Sequence, residues 1–183
     1  EGAKLFSIRN NGVEHSGIGR DGVIFCHGIE LEDMGWLQIS LDTTASTSRA
    51  WTAGQLDVES DFTLNYNEYL NKGWTYDDTS KVITYLLDHD TVQAFSYGLS
   101  CQRTAGATAS ILEVSIARST DGTAYNVIYE TKAFRQFGGD DVGYLAFDGM
   151  IRCSPGDTFK MKALVSGAAI TLDFLNIFAK FQL

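Results

Sequence analysis

Residues 170–183 read Ile-Thr-Leu-Asp-Phe-Leu-Asn-Ile-Phe-Ala-Lys-Phe-Gln-Leu. Leu175, Ile177, Ala179, Phe181 and Leu183 share one parity, and Leu172, Phe174 and Phe178 share the other. Apolar residues on both sides of a period-two repeat are the pattern of a central strand covered on both faces. A helix is the competing reading, because a short apolar run does not separate the two by itself.

The neighbourhood favours a strand. Phe159, Met161, Ala163 and Val165 alternate with polar positions after a Pro155-Gly156-Asp157 turn. Lys160 and Lys162 fall on the opposite parity and are expected in solvent. Further upstream, Leu112, Val114 and Ile116 alternate with Glu113, Ser115 and Ala117. Phe95, Tyr97, Leu99 and Cys101 form another such set, as do Leu145, Phe147, Gly149 and Ile151. Phe62, Leu64 and Tyr66 alternate as well, and Val82–Leu87 is a short apolar run. Asp121-Gly122 precedes Tyr125–Tyr129, and Asp-Gly favours the positive φ of tight hairpins. Short strands separated by turn signals predict a sandwich or barrel. No amphipathic helix of ordinary length and no fixed-period repeat is visible.

Residues 1–50 differ from the rest. Gly12, Gly17, Gly19, Gly22, Gly28 and Gly35 divide them into short pieces, with strand signals at Val23–Cys26 and Trp36–Leu41. Asp42-Thr-Thr-Ala-Ser-Thr-Ser-Arg49 is small and polar and reads as a linker or exposed loop. The expected organisation is an N-terminal β-rich arm over 1–50, with Phe25 and Trp36 as its apolar anchors, and a β-domain over 51–183.

Composition narrows the function classes. A net charge of −9 with no basic run argues against nucleic acid, whose affinity rests on Lys and Arg displacing counterions. No apolar run approaches the ~18 residues of a membrane span, so no membrane insertion is expected. Cys26, Cys101 and Cys153 are odd in number and widely spaced, with no CxxC pair. They read as free thiols of a reducing compartment, with one disulfide plus a free thiol as the alternative. No N-x-S/T glycosylation sequence occurs.

Several stretches together resemble the C1q/TNF-like jelly-roll superfamily. Tyr76-Asp77-Asp78-Thr79-Ser80-Lys81-Val82-Ile83-Thr84 is similar to that family's Tyr-Asp-x-x-Thr-Gly-x-Phe-Thr stretch. Phe95-Ser96-Tyr97 resembles its aromatic strand. Pro155-Gly156-Asp157-Thr158-Phe159 resembles the Gly-Asp turn before its penultimate strand, and Phe178-Ala179-Lys180-Phe181-Gln182-Leu183 its closing motif. Order and spacing agree over roughly residues 60–183. Ser80-Lys81 stands in place of Thr-Gly, Thr91 in place of Gly, and Lys180 in place of the closing Gly. No collagen-like Gly-X-Y run precedes the domain. Modules of this broad pattern also resemble bacteriophage head-decoration and fibre-head proteins.

The resemblance implies an all-β jelly-roll sandwich, a homotrimer and no enzymatic activity. Phe95, Tyr97, Phe178, Phe181 and Leu183 are the residues it places at a trimer interface. The expected function is a structural protein of a virion surface, assembled in the host cytoplasm and fastened by its arm to a capsid or tail protein. The alternative is a receptor- or carbohydrate-binding module. Tyr66, Tyr69, Trp74 and Tyr76 would then serve as an aromatic platform beside Asn65, Asn67, Asn71 and Asp77.

Catalytic and metal chemistry find little support. His15-Ser16 is the one adjacent His/Ser pair, and there is no GxSxG elbow. Cys26-His27 with His15 and His89 matches no zinc spacing. Asp77-Asp78, Asp88/Asp90 and Asp140-Asp141 are acidic pairs that would bind calcium only if their oxygens converged. Solvated turns are the simpler reading, so no catalytic residue, metal or cofactor is expected.

Overall fold

The computed structural model describes residues 4–10, 13–19, 24–26, 29–30, 36–52, 55, 58–106, 110–137 and 142–182, and side chains from Trp36 onward except at 69, 70 and 182. The chain forms two units, Glu1–Gly35 and Trp36–Leu183. The first is an antiparallel sheet in chain order: β1 (Lys4–Asn10), β2 (Val13–Gly19), β3 (Ile24–Cys26) and β4 (Ile29–Glu30). Its register aligns Phe6, Ile18 and Ile24 in one cross-strand row.

The second unit is a sandwich of two antiparallel sheets. One is built from β5 (Trp36–Leu41), β6 (Ser48–Trp51), β8 (Tyr66–Lys72), β11 (Thr91–Gly106), β15 (Val142–Cys153) and β17 (Ile170–Gln182). Its strand order is β15-β11-β17-β5-β8, with β6 also paired to β17. The other is built from β7 (Ser60–Asp61), β9 (Trp74–Asp77), β10 (Val82–Tyr85), β12 (Ser110–Ser119), β13 (Asn126–Val127), β14 (Ala133–Phe137) and β16 (Thr158–Ser166). Its order is β13-β12-β16-β10-β9, with β14 paired to β12 and β7 to β16. Gly73, at φ 69°, lets the chain pass directly from β8 in the first sheet to β9 in the second.

The unit boundary lies at Gly35/Trp36, not near residue 50. Strand β5 pairs with β17 (Ser40 opposite Phe178), and β6 pairs with its other half (Ala50 opposite Thr171). The polar run from Asp42 is therefore a turn inside the sandwich. Asp42 Oδ1 accepts hydrogen bonds from the Thr44 amide and hydroxyl at 2.9 and 2.6 Å.

Strand β17 is not covered on both faces. A bulge accounts for its apparently two-sided pattern: Asn176 pairs with Ser100 and Phe174 with Cys101, leaving Leu175 as the extra residue. The parity switches there, so Ile170, Leu172 and Phe174 and then Ile177, Ala179 and Phe181 all point into the core. Phe178 is left on the opposite face.

The core is aromatic. Phe181 lies 4.4 Å from Trp74, 4.5 Å from Phe95 and 5.8 Å from Phe159 between ring centroids. Trp74 also meets Tyr85 edge-on at 5.0 Å. Tyr97 donates its hydroxyl to the Val114 or Thr131 carbonyl, each at 2.9 Å, tying the two sheets together. Each such ring contributes about 2–3 kcal/mol by leaving water.

Lys160 and Lys162 are not solvated as expected. Asp61 on β7 receives both, at 2.8 and 2.6 Å, and the Tyr125 ring covers their ammonium groups at 4.9 and 5.9 Å. The Asp121-Gly122 hairpin exists but is wide: Arg118 pairs with Asn126 across a loop of Ser119–Tyr125, and Gly122 has φ 74°.

Candidate self-association face

The sheet alternation that sends Phe95, Tyr97, Leu99 and Cys101 inward sends Val92, Ala94, Ser96, Gly98, Ser100 and Gln102 outward. Neighbouring strands extend this outer face in register. Ala146, Gly98, Phe178 and Ser40 form one row, and Met150, Ala94, Gln182 and Trp36 a row at one end. Tyr144 pairs with Ser100 on the other side of the Gly98 row.

Large apolar side chains stand on this face among small ones. Trp36 is 40%, Tyr144 61% and Met150 71% exposed, and Val92 and Val142 are about half exposed. Phe178 packs over Gly98: a Cβ there would sit 2.5 Å from Phe178 Cε1 and 3.0 Å from Tyr144 Oη. Lys180 Nζ lies 5.8 Å from the Phe178 ring, and Lys72 Nζ 5.4 Å from the Trp36 ring. Among the described residues the carboxylates of this sheet's outer side include Asp148 opposite Ser96, Asp173 opposite Gln102 and the exposed Glu68 on β8.

The face ends at an open edge. Among the described residues, strand β15 pairs only with β11, through twelve successive residue pairs without a bulge. On the same side of the sandwich, the other sheet ends in β14, with Phe134 exposed on it, and in the short 3-10 turn Tyr129–Thr131, where Tyr129 is exposed. An edge without bulge or proline is a surface that other strands and side chains can meet.

The residues expected at a trimer interface divide accordingly. Phe95, Tyr97 and Phe181 are fully buried in the core of a single protomer, because their parity is the inward one. Phe178 is on the outer face, and Leu183 lies outside the described residues. The expected aromatic platform is dismantled in the same way. Trp74 is wholly buried and Tyr66 nearly so; Tyr76 is half-buried with its hydroxyl on Asp78 Oδ1 at 3.0 Å. The side chain of Tyr69 is outside the described residues, as is that of Phe25. Trp36 belongs to the sandwich and not to the arm. Sequence reasoning missed Tyr144, Met150 and Val92, although the parity of β11 and β15 already assigns them to the outer face.

The acidic pairs are spent locally. Asp77 accepts from the Thr79 amide at 2.9 Å and the Ser80 hydroxyl at 2.6 Å; Asp78 accepts from the Tyr66 amide and Lys81 Nζ at 3.2 and 2.8 Å. Asp88 pairs with His89 and Asp90 with Arg152. Asp140-Asp141, His15 and Cys26-His27 lie outside the described side chains. Among the described residues, no group of three or more His, Cys, Asp or Glu is disposed to hold a metal, and no helix is long and apolar enough to cross a membrane. Cys101 and Cys153 are free, buried thiols, each pushed up to about 12 by desolvation.

Solved structures share this architecture. The chain is similar to murine APRIL, with a TM-score of 0.54 at 9% identity over 82% of this chain and 99% of that one. It is similar to Eiger TNF from S. frugiperda, with a TM-score of 0.53 at 8% identity over 82% and 92%. The globular domain of zebrafish complement 1qA protein gives a TM-score of 0.50 at 8% identity over 81% and 96%. The sandwich is a C1q/TNF-like jelly roll. No family model matches the chain, and no curated protein does. At these identities the likeness establishes the fold of the jelly roll and nothing about its partners.

Proposed function

We propose that the protein is a non-catalytic structural component that assembles as a homotrimer through the outer face of the β15-β11-β17-β5-β8 sheet. The observation that carries this reading is that Trp36, Met150, Val92, Tyr144 and Phe178 stand on one sheet face, the first four well exposed. Exposed apolar patches of this kind mark association surfaces. The face and the β14/β15 edge are different surfaces of one molecule. An edge-to-face contact is therefore heterologous and, when its rotation closes, generates a ring. Three is the ring size implied by the jelly-roll resemblance. A stable contact needs about 800 Å2 per partner, which a six-stranded sheet face accommodates.

The place of action we propose is a virion surface, as capsid decoration or fibre head. The separate N-terminal unit, Glu1–Gly35, would be the fastening element to a capsid or tail protein. Free buried thiols fit assembly in a reducing cytoplasm. The carbohydrate reading loses its original support, because Trp74 and Tyr66 are core residues.

The deciding measurement is the mass in solution of the wild type and of Tyr144→Lys, an exposed position whose change leaves the core intact. The expected masses are three times the 20.1 kDa protomer for wild type and a lower value for the variant. A monomeric wild type, or a variant that assembles unchanged, overturns the reading. Removal of residues 1–35 is expected to leave the assembly formed but unattached; attachment without them would overturn the fastening role.

A further inference from the structure

A cleft of about 510 Å3 opens beside β6, within the size range of small-molecule sites. Arg49, Ala50, Trp51, Val58, Ser60 and Thr63 are among its lining residues. None of the five side chains that carry the association face lines it. Alternation along β6 turns Arg49 and Trp51 toward the sandwich and leaves Ser48 and Ala50 exposed.

Arg49 is a fixed cation without an anion of its own. Its guanidinium lies 4.7 Å from the centroid of the Trp51 ring and 5.8 Å from that of Phe62. Nη1 donates to the Asp61 carbonyl at 2.5 Å and Nη2 to Ser60 Oγ at 2.6 Å; the Ser60 hydroxyl donates onward to the Ala163 carbonyl at 3.3 Å. Both acceptors are neutral. Among the described residues no carboxylate reaches ion-pair distance of Arg49, and that of Asp61 is already shared by Lys160 and Lys162. Burial pulls Arg49 below the ordinary arginine value, and the charge of Asp61 does not restore it. A guanidinium carries five N–H donors, so Arg49 has donors to spare.

A second donor in the same wall lacks an acceptor. Trp51 is 2% exposed, and its indole N–H has no hydrogen-bond partner. Buried indole N–H groups ordinarily find one. The cleft thus joins an unbalanced guanidinium to an unmet N–H, with Val58 and Ala50 adding apolar surface.

We propose that this cleft binds a carboxylate, with Arg49 and the Trp51 indole N–H as its donors. The planar fork of Arg matches a carboxylate in shape, and one negative charge balances the one unpaired cation. The carboxylate belongs either to a free organic acid or to the acidic side chain of a peptide. The site lies within one protomer and does not depend on the trimer reading.

The test is a titration of the 15N-labelled full-length protein, followed at the indole resonances of its three tryptophans. The Trp51 resonance is assigned by its loss in Trp51→Phe. Butyrate and a glutamate-containing tripeptide with blocked ends are the probes; butyramide, the glutamine tripeptide and inorganic phosphate are the controls. A saturable shift of the Trp51 resonance with a carboxylate, and not with the controls, is expected. Butyrate binding identifies a free acid as the source, and a response to the glutamate tripeptide alone identifies a peptide. By calorimetry with the probe that binds, Arg49→Gln is expected to weaken binding at least about tenfold and Arg49→Lys less. Trp51→Phe keeps a ring in place and loses only the donor, and is expected to weaken binding about tenfold with the fold retained. No shift at millimolar carboxylate, equal shifts with the amides or phosphate, or undiminished binding by Trp51→Phe overturns the proposal. The mass recorded on the same samples keeps that failure distinct from a failure of the trimer reading.

Discussion

The ring of Phe178 lies against the bare backbone of Gly98 on the adjacent strand, so close that a Cβ at residue 98 would sit 2.5 Å from its Cε1. Glycine is required here by space and not by backbone conformation. Gly98→Ala must lift Phe178, and through the 3.0 Å approach of Tyr144 Oη it disturbs that side chain too. Because Phe178 is at the surface, the ring moves outward at modest cost, about 1 kcal/mol by unfolding titration. The larger expected effect is on assembly. The variant should fold and yet show a lower mass in solution, whereas unchanged assembly would mean that Phe178 is not part of the contact.

Lys81 has φ 58°, a left-handed conformation that favours glycine. The strain is offset by its ammonium group, which donates to Asn65 Oδ1 at 2.6 Å and Asp78 Oδ1 at 2.8 Å. Lys81→Ala keeps the strained backbone and loses both bonds. Lys81→Gly loses the bonds but relieves a strain of about 1–2 kcal/mol. The expected order of stability is therefore wild type near Lys81→Gly, and Lys81→Ala lower by about 1 kcal/mol. An alanine variant as stable as the glycine variant would show that the conformation carries no strain.

These two sites show what could be read ahead of the structure and what could not. The inward sets Phe95/Tyr97/Leu99/Cys101, Leu112/Val114/Ile116 and Phe159/Met161/Ala163/Val165 are all buried, because alternation within one strand is local information. In the N-terminal unit β1 and β2 pair with Asn10 opposite Val13, a pairing that no alternation in this glycine-rich stretch announces. The bulge at Leu175 depends on the register between β17 and β11, some seventy residues apart, and no local pattern reports it. The boundary failed for the same reason. A polar run such as 42–49 is a linker or a turn according to whether its flanking strands pair with β17, which lies at the far end of the sequence. Residue type alone does not distinguish an interface aromatic from a core one, whereas parity decides which of them face outward: Phe178 does and Phe181 does not.

Asp61 predicts a response to pH. Partial burial pushes its carboxyl upward, but hydrogen bonds and charge from Lys160 and Lys162 outweigh that and hold it below the usual carboxylate range. A carboxyl depressed by folding contributes stability above its unfolded value, near 4, and that contribution is lost as pH falls through the lower folded value. Stability should therefore decline below about pH 4 less steeply in Asp61→Asn than in wild type. At neutral pH the variant should be less stable by about 2 kcal/mol, because two largely buried ammonium groups lose their shared acceptor. Parallel unfolding titrations at pH 3 and pH 7 check both signs. An equal loss at both pH values would rule out the carboxylate as the source.

Cys101 and Cys153 give the sharpest test of the core. Both thiols are buried, desolvation pushes each up to about 12, and Cys153 Sγ lies 3.8 Å from the Ile151 carbonyl. The thiolate is the reactive species, so at pH 8 its population is about ten-thousandfold below that of the thiol, before access is considered. Neither cysteine should be alkylated by iodoacetamide in the folded protein over hours. Both should react at the rate of free cysteine once denaturant unfolds the chain. Mass spectrometry of the peptides carrying residues 101 and 153 resolves the two sites from Cys26. Rapid native labelling of Cys153 alone would mean that the end of the sandwich where Thr91 pairs with Cys153 opens well below the denaturant midpoint. Labelling of Cys101, beneath the β11–β17 bulge, would contradict the packing that the bulge creates.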